Sequence, residues 1–314
     1  MRLVYYACLW FMFIRYRMRF LRLLFPRLLW QLSAMALIVI AALLFINEYA
    51  VASGSRRSKD IPYVTTMPGI DAERHRLDIY QPRQKQQKLY PVVVFIHGGA
   101  WDSGNKNLYA FIGRRLAKQG VVAVLINYRL APAVQVPDMA DDCARAVIWT
   151  QQHITDYNGD PARIFVMGHS AGGGLAALLT TDDQLFAKLG LPKNPIKGAI
   201  LDDPGGLDML DYLTKMHYPG DEKYLVPFGR DPAVWRNVSP LYYVRKSSPP
   251  MLMYAGERTY PGIASSTRKF NQRLQELGVP HNFTVLPGKK HVGMVTQLFW
   301  QHNLIYRDLL KFIE

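Results

Sequence analysis

Between Arg163 and Thr180 the chain passes from a short apolar run, RIFVM, through Gly168-His169-Ser170-Ala171-Gly172 to a second apolar run, LAALLT, of helical period. A G-x-S-x-G with those flanks reads as strand, tight turn and helix, and it restricts the possible folds more than any other segment. The turn forces the serine into a strained backbone conformation. Gly168 and Gly172 are needed because a side chain at either would collide with the neighbouring strand or helix. Ser170 is thereby presented at a helix N-terminus, whose dipole favours developing negative charge.

A turn of that kind sits on a parallel sheet, and the rest of the chain has the matching rhythm. Runs rich in Val, Ile and Leu predict strands at Arg76 to Tyr80, Pro91 to Ile96, Val121 to Asn127, Arg163 to Met167, Ile196 to Leu201, Met251 to Ala255 and His281 to Leu286. Their near-continuous apolar character fits strands covered on both faces. Amphipathic stretches between them predict helices at Leu108 to Gln119, Asp138 to Ile154, Ser170 to Thr180, Ser265 to Leu277 and Met294 to Phe312, with Gly120 and Gly278 as helix-terminating residues. This is an α/β class pattern, a mostly parallel central sheet with helices on both faces. Residues 61–314 are expected to form that domain. The stretch 207–244, rich in aromatics and prolines, breaks the rhythm and reads either as a cap over the site or as a structural excursion. No fixed-period repeat points to a solenoid or propeller.

Two further segments complete a constellation around Ser170. His97-Gly98-Gly99-Ala100-Trp101 follows the strand PVVVFI, and its consecutive glycines leave backbone N–H groups unobstructed. With the N–H of Ala171, the amides of Gly98 and Gly99 would form an oxyanion hole. His291 follows the last predicted strand, FTVLP, in PGKKH, where a loop imidazole can reach the serine hydroxyl as general base. His97 and His169 read as loop-ordering residues, and His75, His153, His217, His281 and His302 have no comparable placement. Neither H-E-x-x-H nor paired-cysteine spacing is present, so no metal site is expected, and no organic cofactor is implied.

The net charge of +14 is unevenly placed. The first 60 residues hold nine Lys and Arg against two acidic residues, half of the excess, and the remainder forms no basic stripe, which argues against nucleic acid as a partner. Residues 1–27 form a basic segment. From Leu28 to Ile46 there are 19 residues without a charge, and as a helix they would rise about 28 Å, close to the hydrocarbon thickness of a bilayer. With the arginines on its N-terminal side, this run is expected to be an uncleaved signal anchor that places the α/β domain on the extracytoplasmic side. A cleaved signal peptide ending near Ala50-Val51-Ala52 and a buried core helix are the alternatives. Residues 47–60, ending in SGSRRSKD, read as a polar linker. Cys8 and Cys143 are the only cysteines and are not expected to pair.

On HGGAW, on INYRLAP at 126–132, on YNGDPARIFVMGHSAGG at 157–173 and on the late histidine, the chain resembles the hormone-sensitive-lipase-like and carboxylesterase branch of the α/β-hydrolases. Within it, isoprenylcysteine methylesterases, kynurenine formamidases and feruloyl esterase-like enzymes are the most similar. The resemblance covers roughly Tyr63 to the C-terminus. It implies a serine esterase that forms an acyl-enzyme on Ser170 and acts on a small-molecule or lipid-like ester; an amidase or peptidase with the same residues is the rival. It also exposes a departure. Relatives usually carry an aspartate in G-x-x-D after the seventh strand, yet Gly256-Glu257-Arg258-Thr259 puts a threonine there. Three repairs stand open: Glu257 on the same loop, taken first; Asp203 in LDDPGG at the end of the sixth strand; or no acid, which would suit a binding protein on a degenerate hydrolase fold. Asp208 resembles the family's structural aspartate.

Overall fold

The computed structural model describes residues 33, 35–39, 54–65, 70–84 and 86–314. The basic segment 1–27, most of the apolar run 28–46, the alternative cleavage site and Cys8 lie outside the described residues. Residues 35–39 are helical and exposed, and among the described residues no helix is long and apolar enough to cross a membrane. The chain divides into a unit Met1–Val51 and a unit Ala52–Glu314, and the second holds every strand described here.

Eight strands form one sheet: β1 (Ser55–Pro62), β2 (Arg76–Pro82), β3 (Tyr90–Ile96), β4 (Val122–Ile126), β5 (Gly159–His169), β6 (Ile196–Asp202), β7 (Met251–Arg258) and β8 (His281–Lys290). Their order is β1-β2-β4-β3-β5-β6-β7-β8. From β4 onward in that order all pairs are parallel, and β1 and β2 run antiparallel at one edge. The seven predicted strands are all present. The chain leaves β3 toward one edge, to β4, and then crosses back to place β5 on the other side of β3. That reversal is a topological switch point, where the carboxyl ends of parallel strands open a crevice. HGGAW follows β3 and Ser170 follows β5, so both line that crevice.

Alternation along β3 shows why the strands read as apolar throughout. Val92, Val94 and Ile96 enter one buried cluster, and Val93 and Phe95 enter the other. Helices α1 (Ala110–Lys118), α2 (Val136–His153), α3 (Ala171–Thr181) and α4 (Gln184–Ala187) follow in chain order. The insertion supplies α5 (Met209–Lys215), α6 (Leu225–Phe228) and α7 (Pro232–Asn237), and then come α8 (Pro261–Glu276), α9 (His291–Thr296) and α10 (Leu304–Ile313). Ile112 and Leu116 of α1 and Leu309 of α10 cover one face; Val147 of α2, Leu179 of α3 and Phe270 of α8 cover the other.

Two expectations are corrected. Residues 55–60, read as linker, belong to β1, an edge strand whose sequence SRRSKDIP has no apolar alternation. Polar contacts hold it instead. Arg57 and the Asp60 N–H both bond the buried Asp78 carboxylate, and the buried Lys106 ammonium lies 2.6 Å from Asp60 and 2.8 Å from Asp78. Charge on an edge strand deters pairing with another chain, which is why such strands look like linkers in sequence. The helix predicted over Met294 to Phe312 is broken by a 3-10 turn, Gln297–Phe299. The buried Arg115 donates to the Phe299 carbonyl at 2.8 Å, and the Asn303 side chain accepts from the Tyr306 N–H to start α10 afresh.

Candidate active site

Ser170 sits between β5 and α3 at φ 55°, ψ −124°, the left-handed strain expected of the turn. Backbone bonds lock it there: its N–H donates to the Asp202 carbonyl at 3.1 Å, and its carbonyl accepts from Gly174 at 3.1 Å and Gly205 at 2.8 Å. The close approaches invoked for the flanking glycines are real. A Cβ on Gly168 would lie 2.1 Å from the Gly172 carbonyl oxygen, and one on Gly172 would lie 2.1 Å from that of Ile96 in β3.

His291 is the first residue of α9, directly after β8. Its Nε2 is 2.8 Å from Ser170 Oγ and its Nδ1 is 2.6 Å from Asp203 Oδ2. With a carboxylate facing Nδ1, that nitrogen carries the proton and donates it, which leaves Nε2 to accept from the serine hydroxyl. The three groups come from loops after β5, β6 and β8, at the carboxyl edge of the sheet.

The first-ranked acid is therefore corrected. Glu257 is exposed and accepts from the Gly288 N–H at 2.7 Å, away from the imidazole. β7 runs on to Arg258, so Glu257 is held as a strand residue, and only then does the chain turn, the Thr259 N–H donating to the Gly256 carbonyl at 3.1 Å. That turn carries Thr259 back over Asp203. The fully buried Asp203 carboxylate accepts from the Gly256 N–H at 3.0 Å, from the Thr259 hydroxyl and from His291. The threonine that seemed to mark a missing acid thus donates to the carboxylate that is present. Asp208 caps α5, accepting from the Asp211 N–H, and takes further bonds from Tyr242 and Lys269.

Gly98 lies against the nucleophile, since a Cβ there would be 2.8 Å from the His169 carbonyl oxygen and 3.1 Å from Ser170 Cβ. Gly99, Ala100 and Trp101 all have positive φ, at 130°, 51° and 65°. Three successive residues in that region turn the loop sharply, and the Gly99 carbonyl is tied back by the Ser103 N–H at 2.9 Å. Ala171 opens α3, so its N–H has no acceptor within the helix.

Several neighbours were not legible beforehand. His169, the variable residue of G-x-S-x-G, has its ring centroid 4.7 Å from that of His291 and its Nδ1 3.1 Å from Asp202 Oδ2. The exposed Tyr260 packs on His291 from another side at 5.0 Å. Both partners follow from three-dimensional closure and have no signature in local sequence. Phe228 and Tyr224 of the insertion meet Trp101 at 4.8 and 5.9 Å, so residues 207–244 reach the loop after β3.

His97 behaves as the loop-ordering residue that the sequence suggests. It stacks on Tyr128 at 4.4 Å, and the Tyr128 hydroxyl donates to its carbonyl at 2.9 Å. Behind Tyr128, Arg129 donates three bonds to the buried Asp142, one from its backbone N–H and two from its guanidinium, and Asp142 also meets the buried His75 at 3.1 Å. Burial pushes the His97 imidazole down to about 4, against the opposing effect of its contact with the Gly98 carbonyl. The unfolded chain protonates this group near pH 6.5. Its contribution to stability is therefore complete above about pH 6.5 and is lost as pH falls through about 4. Thermal melts across that window should show a decline in Tm that is shallower in His97→Asn, whose side chain does not titrate; parallel declines would refute it.

The BD-FAE family model matches residues 77–268. Among curated proteins, the chain is 28% identical to a probable isoprenylcysteine alpha-carbonyl methylesterase of Arabidopsis thaliana, over 72% of this chain and 50% of the relative. It is 32% identical to the esterase LipC of Mycobacterium tuberculosis, over 76% and 64%, and 27% identical to the kynurenine formamidase of Danio rerio, over 84% and 87%. The chain thus spans about half to two thirds of the length of the first two. Among solved structures, an inhibited esterase B from Lactobacillus rhamnosis superposes with TM-score 0.71 at 20% identity, covering 88% of this chain and 93% of that one. A truncated carbohydrate esterase from gut microbiota gives 0.68 at 21%, covering 82% and 95%.

Proposed function

The chain belongs to the BD-FAE family, and from that premise we propose that it is a serine carboxylic-ester hydrolase working through an acyl-enzyme on Ser170. The observation that carries this reading is the hydrogen-bonded relay from Asp203 through His291 to Ser170, with links of 2.6 and 2.8 Å. Ser170 Oγ attacks the acyl carbon while His291 Nε2 takes its proton, and the Asp203 carboxylate stabilises the imidazolium that results. The N–H groups of Gly98, Gly99 and Ala171 hold the oxyanion, where loss of one such donor typically costs about 10²–10³ in turnover. His291 then protonates the departing alcohol. Water repeats the sequence on the acyl-enzyme and frees Ser170. The residues of this relay supply every proton transfer the cycle needs.

Purified protein is expected to hydrolyse a short-chain p-nitrophenyl ester and to be phosphonylated at Ser170 by a fluorophosphonate, read by mass spectrometry of the serine-bearing peptide. Neither turnover nor label would overturn the reading in favour of a binding protein. The formamidase of Danio rerio makes an aryl formamide a necessary member of the same panel. We also propose that the uncharged run Leu28 to Ile46 anchors the protein with its hydrolase domain on the extracytoplasmic side. Immunoblots of alkaline-washed membranes test this, and a shortened, fully soluble product would refute it.

A further inference from the structure

Directly before the acid of the relay stands a second aspartate that none of the catalytic steps uses. Asp202 closes β6 and Asp203 follows it, and both are fully buried. Consecutive residues of a strand point to opposite faces, so two neighbouring carboxylates ordinarily end on different sides of a sheet. Here the chain leaves the strand conformation at Asp203, whose φ is 49°. Each carboxylate then meets an imidazole: Asp203 accepts from His291 Nδ1 at 2.6 Å, and Asp202 accepts from His169 Nδ1 at 3.1 Å. The two rings lie against each other, with centroids 4.7 Å and planes 31° apart. A second carboxylate–imidazole pair thus flanks the first.

His169 is itself held fast. It is the register partner of Asp202 across β5 and β6. Its Nδ1 has two oxygens before it, the Asp202 carboxylate and the Asp202 carbonyl, each at 3.1 Å, so that nitrogen carries the proton and donates it. Its Cδ2 lies against the loop after β3, 3.4 Å from where a Cβ on Gly98 would be. Asp202 depends on His169 in turn: among the described residues no other group bonds its carboxylate, and its Oδ1 is buried without a partner. Stability alone does not account for such a pair, since a well-packed apolar replacement is commonly as stable or more so.

What the pair does for His291 follows from what the relay leaves undone. Hydrogen bonds at Nδ1 and Nε2 fix two points of the His291 ring, and such bonds keep most of their strength until the donor angle falls toward about 120°. The ring is therefore free to rock about the line joining the two nitrogens. The Nε2 lone pair lies in the ring plane. It has to address Ser170 Oγ and then, as N–H, the leaving oxygen, so rocking misdirects both proton transfers. A ring face held against a fixed neighbour stops it. We propose that His169, oriented by Asp202, is a positioning residue that sets the plane of the His291 imidazole for proton transfer. The assignment rests on the ester-hydrolase reading above.

His169→Asn keeps a donor toward Asp202 and removes the ring face. It is expected to lower kcat for p-nitrophenyl acetate about 30-fold with KM within about twofold, and to slow phosphonylation of Ser170 in step. His169→Phe combined with Asp202→Asn restores a ring without stranding a buried charge, and should return kcat to within about fivefold of the native value. In a His291→Ala background no imidazole remains to be positioned, and adding His169→Asn should change the residual turnover by less than about twofold. A kcat within about threefold of native in His169→Asn, no recovery with the phenylalanine, or the same loss with and without His291 would overturn the assignment, the last because a merely structural role acts whether or not the imidazole is there. Native protein that neither turns over p-nitrophenyl acetate nor labels at Ser170 would instead sink the hydrolase reading, and the assignment with it.

Discussion

Asp203→Asn is expected to lower kcat for a p-nitrophenyl ester by about 10⁴, while Glu257→Gln leaves it within about threefold of the native value. The difference follows from what each carboxylate touches. Asp203 is fully buried and accepts from three donors, the imidazole among them. An asparagine there can turn its NH₂ group toward Nδ1, which then has to accept, and the proton moves to Nε2, where it faces the serine hydroxyl it should receive from. Among the described residues the Glu257 carboxylate bonds only the Gly288 N–H, and it stands in solvent. Thr259→Val should fall between, at about tenfold, because Asp203 keeps two of its three donors. Steady-state kinetics on the three variants separates these outcomes, and equal losses at 203 and 257 would return the role of acid to Glu257.

Gly172→Ala is expected to cost about 3 kcal/mol, a fall in Tm of roughly 6–12 °C for a domain of this size. The added methyl would lie 2.1 Å from the Ile96 carbonyl oxygen and 2.5 Å from that of His97. Neither side can yield cheaply. β3 is bonded to β4 on one side and β5 on the other, and α3 is pressed from behind, where a Cβ on Gly174 would be 1.9 Å from the Gly205 carbonyl oxygen. Gly278→Ala offers the contrast: nothing lies within 4 Å of the added carbon, and only its φ of 64° opposes the change, at about 1 kcal/mol. Melting curves check the pair, and similar losses at both sites would show that close approach is not what requires Gly172.

The strands were legible because a parallel strand covered on both faces must be apolar along its whole length, as β3 is. β1 was not, because its stability comes from Lys106, Arg57 and Asp78 rather than from its own apolar residues. At the site, Ser170 and His291 could be found because each lies directly beyond a recognisable strand. The acid could only be narrowed to a short set, since the choice depends on β7 continuing two residues past Gly256 and on Asp203 meeting an imidazole 88 positions away. Tyr260 and His169 were invisible as neighbours of His291 for the same reason. Their proximity is a product of loop closure, and local pattern carries no trace of it.

Thr259 also bears on how such a site can change over generations. Its hydroxyl and the His291 imidazole share one oxygen of Asp203. An aspartate at 259, where relatives usually carry one, would bring a second negative charge against the first, and the two would have to hold a proton between them. The two placements of the acid thus exclude each other at full ionisation. A lineage moving from one to the other has to pass through a form with either two carboxylates competing for one imidazole or none, and a small neutral donor at 259 is what lets the Asp203 arrangement persist.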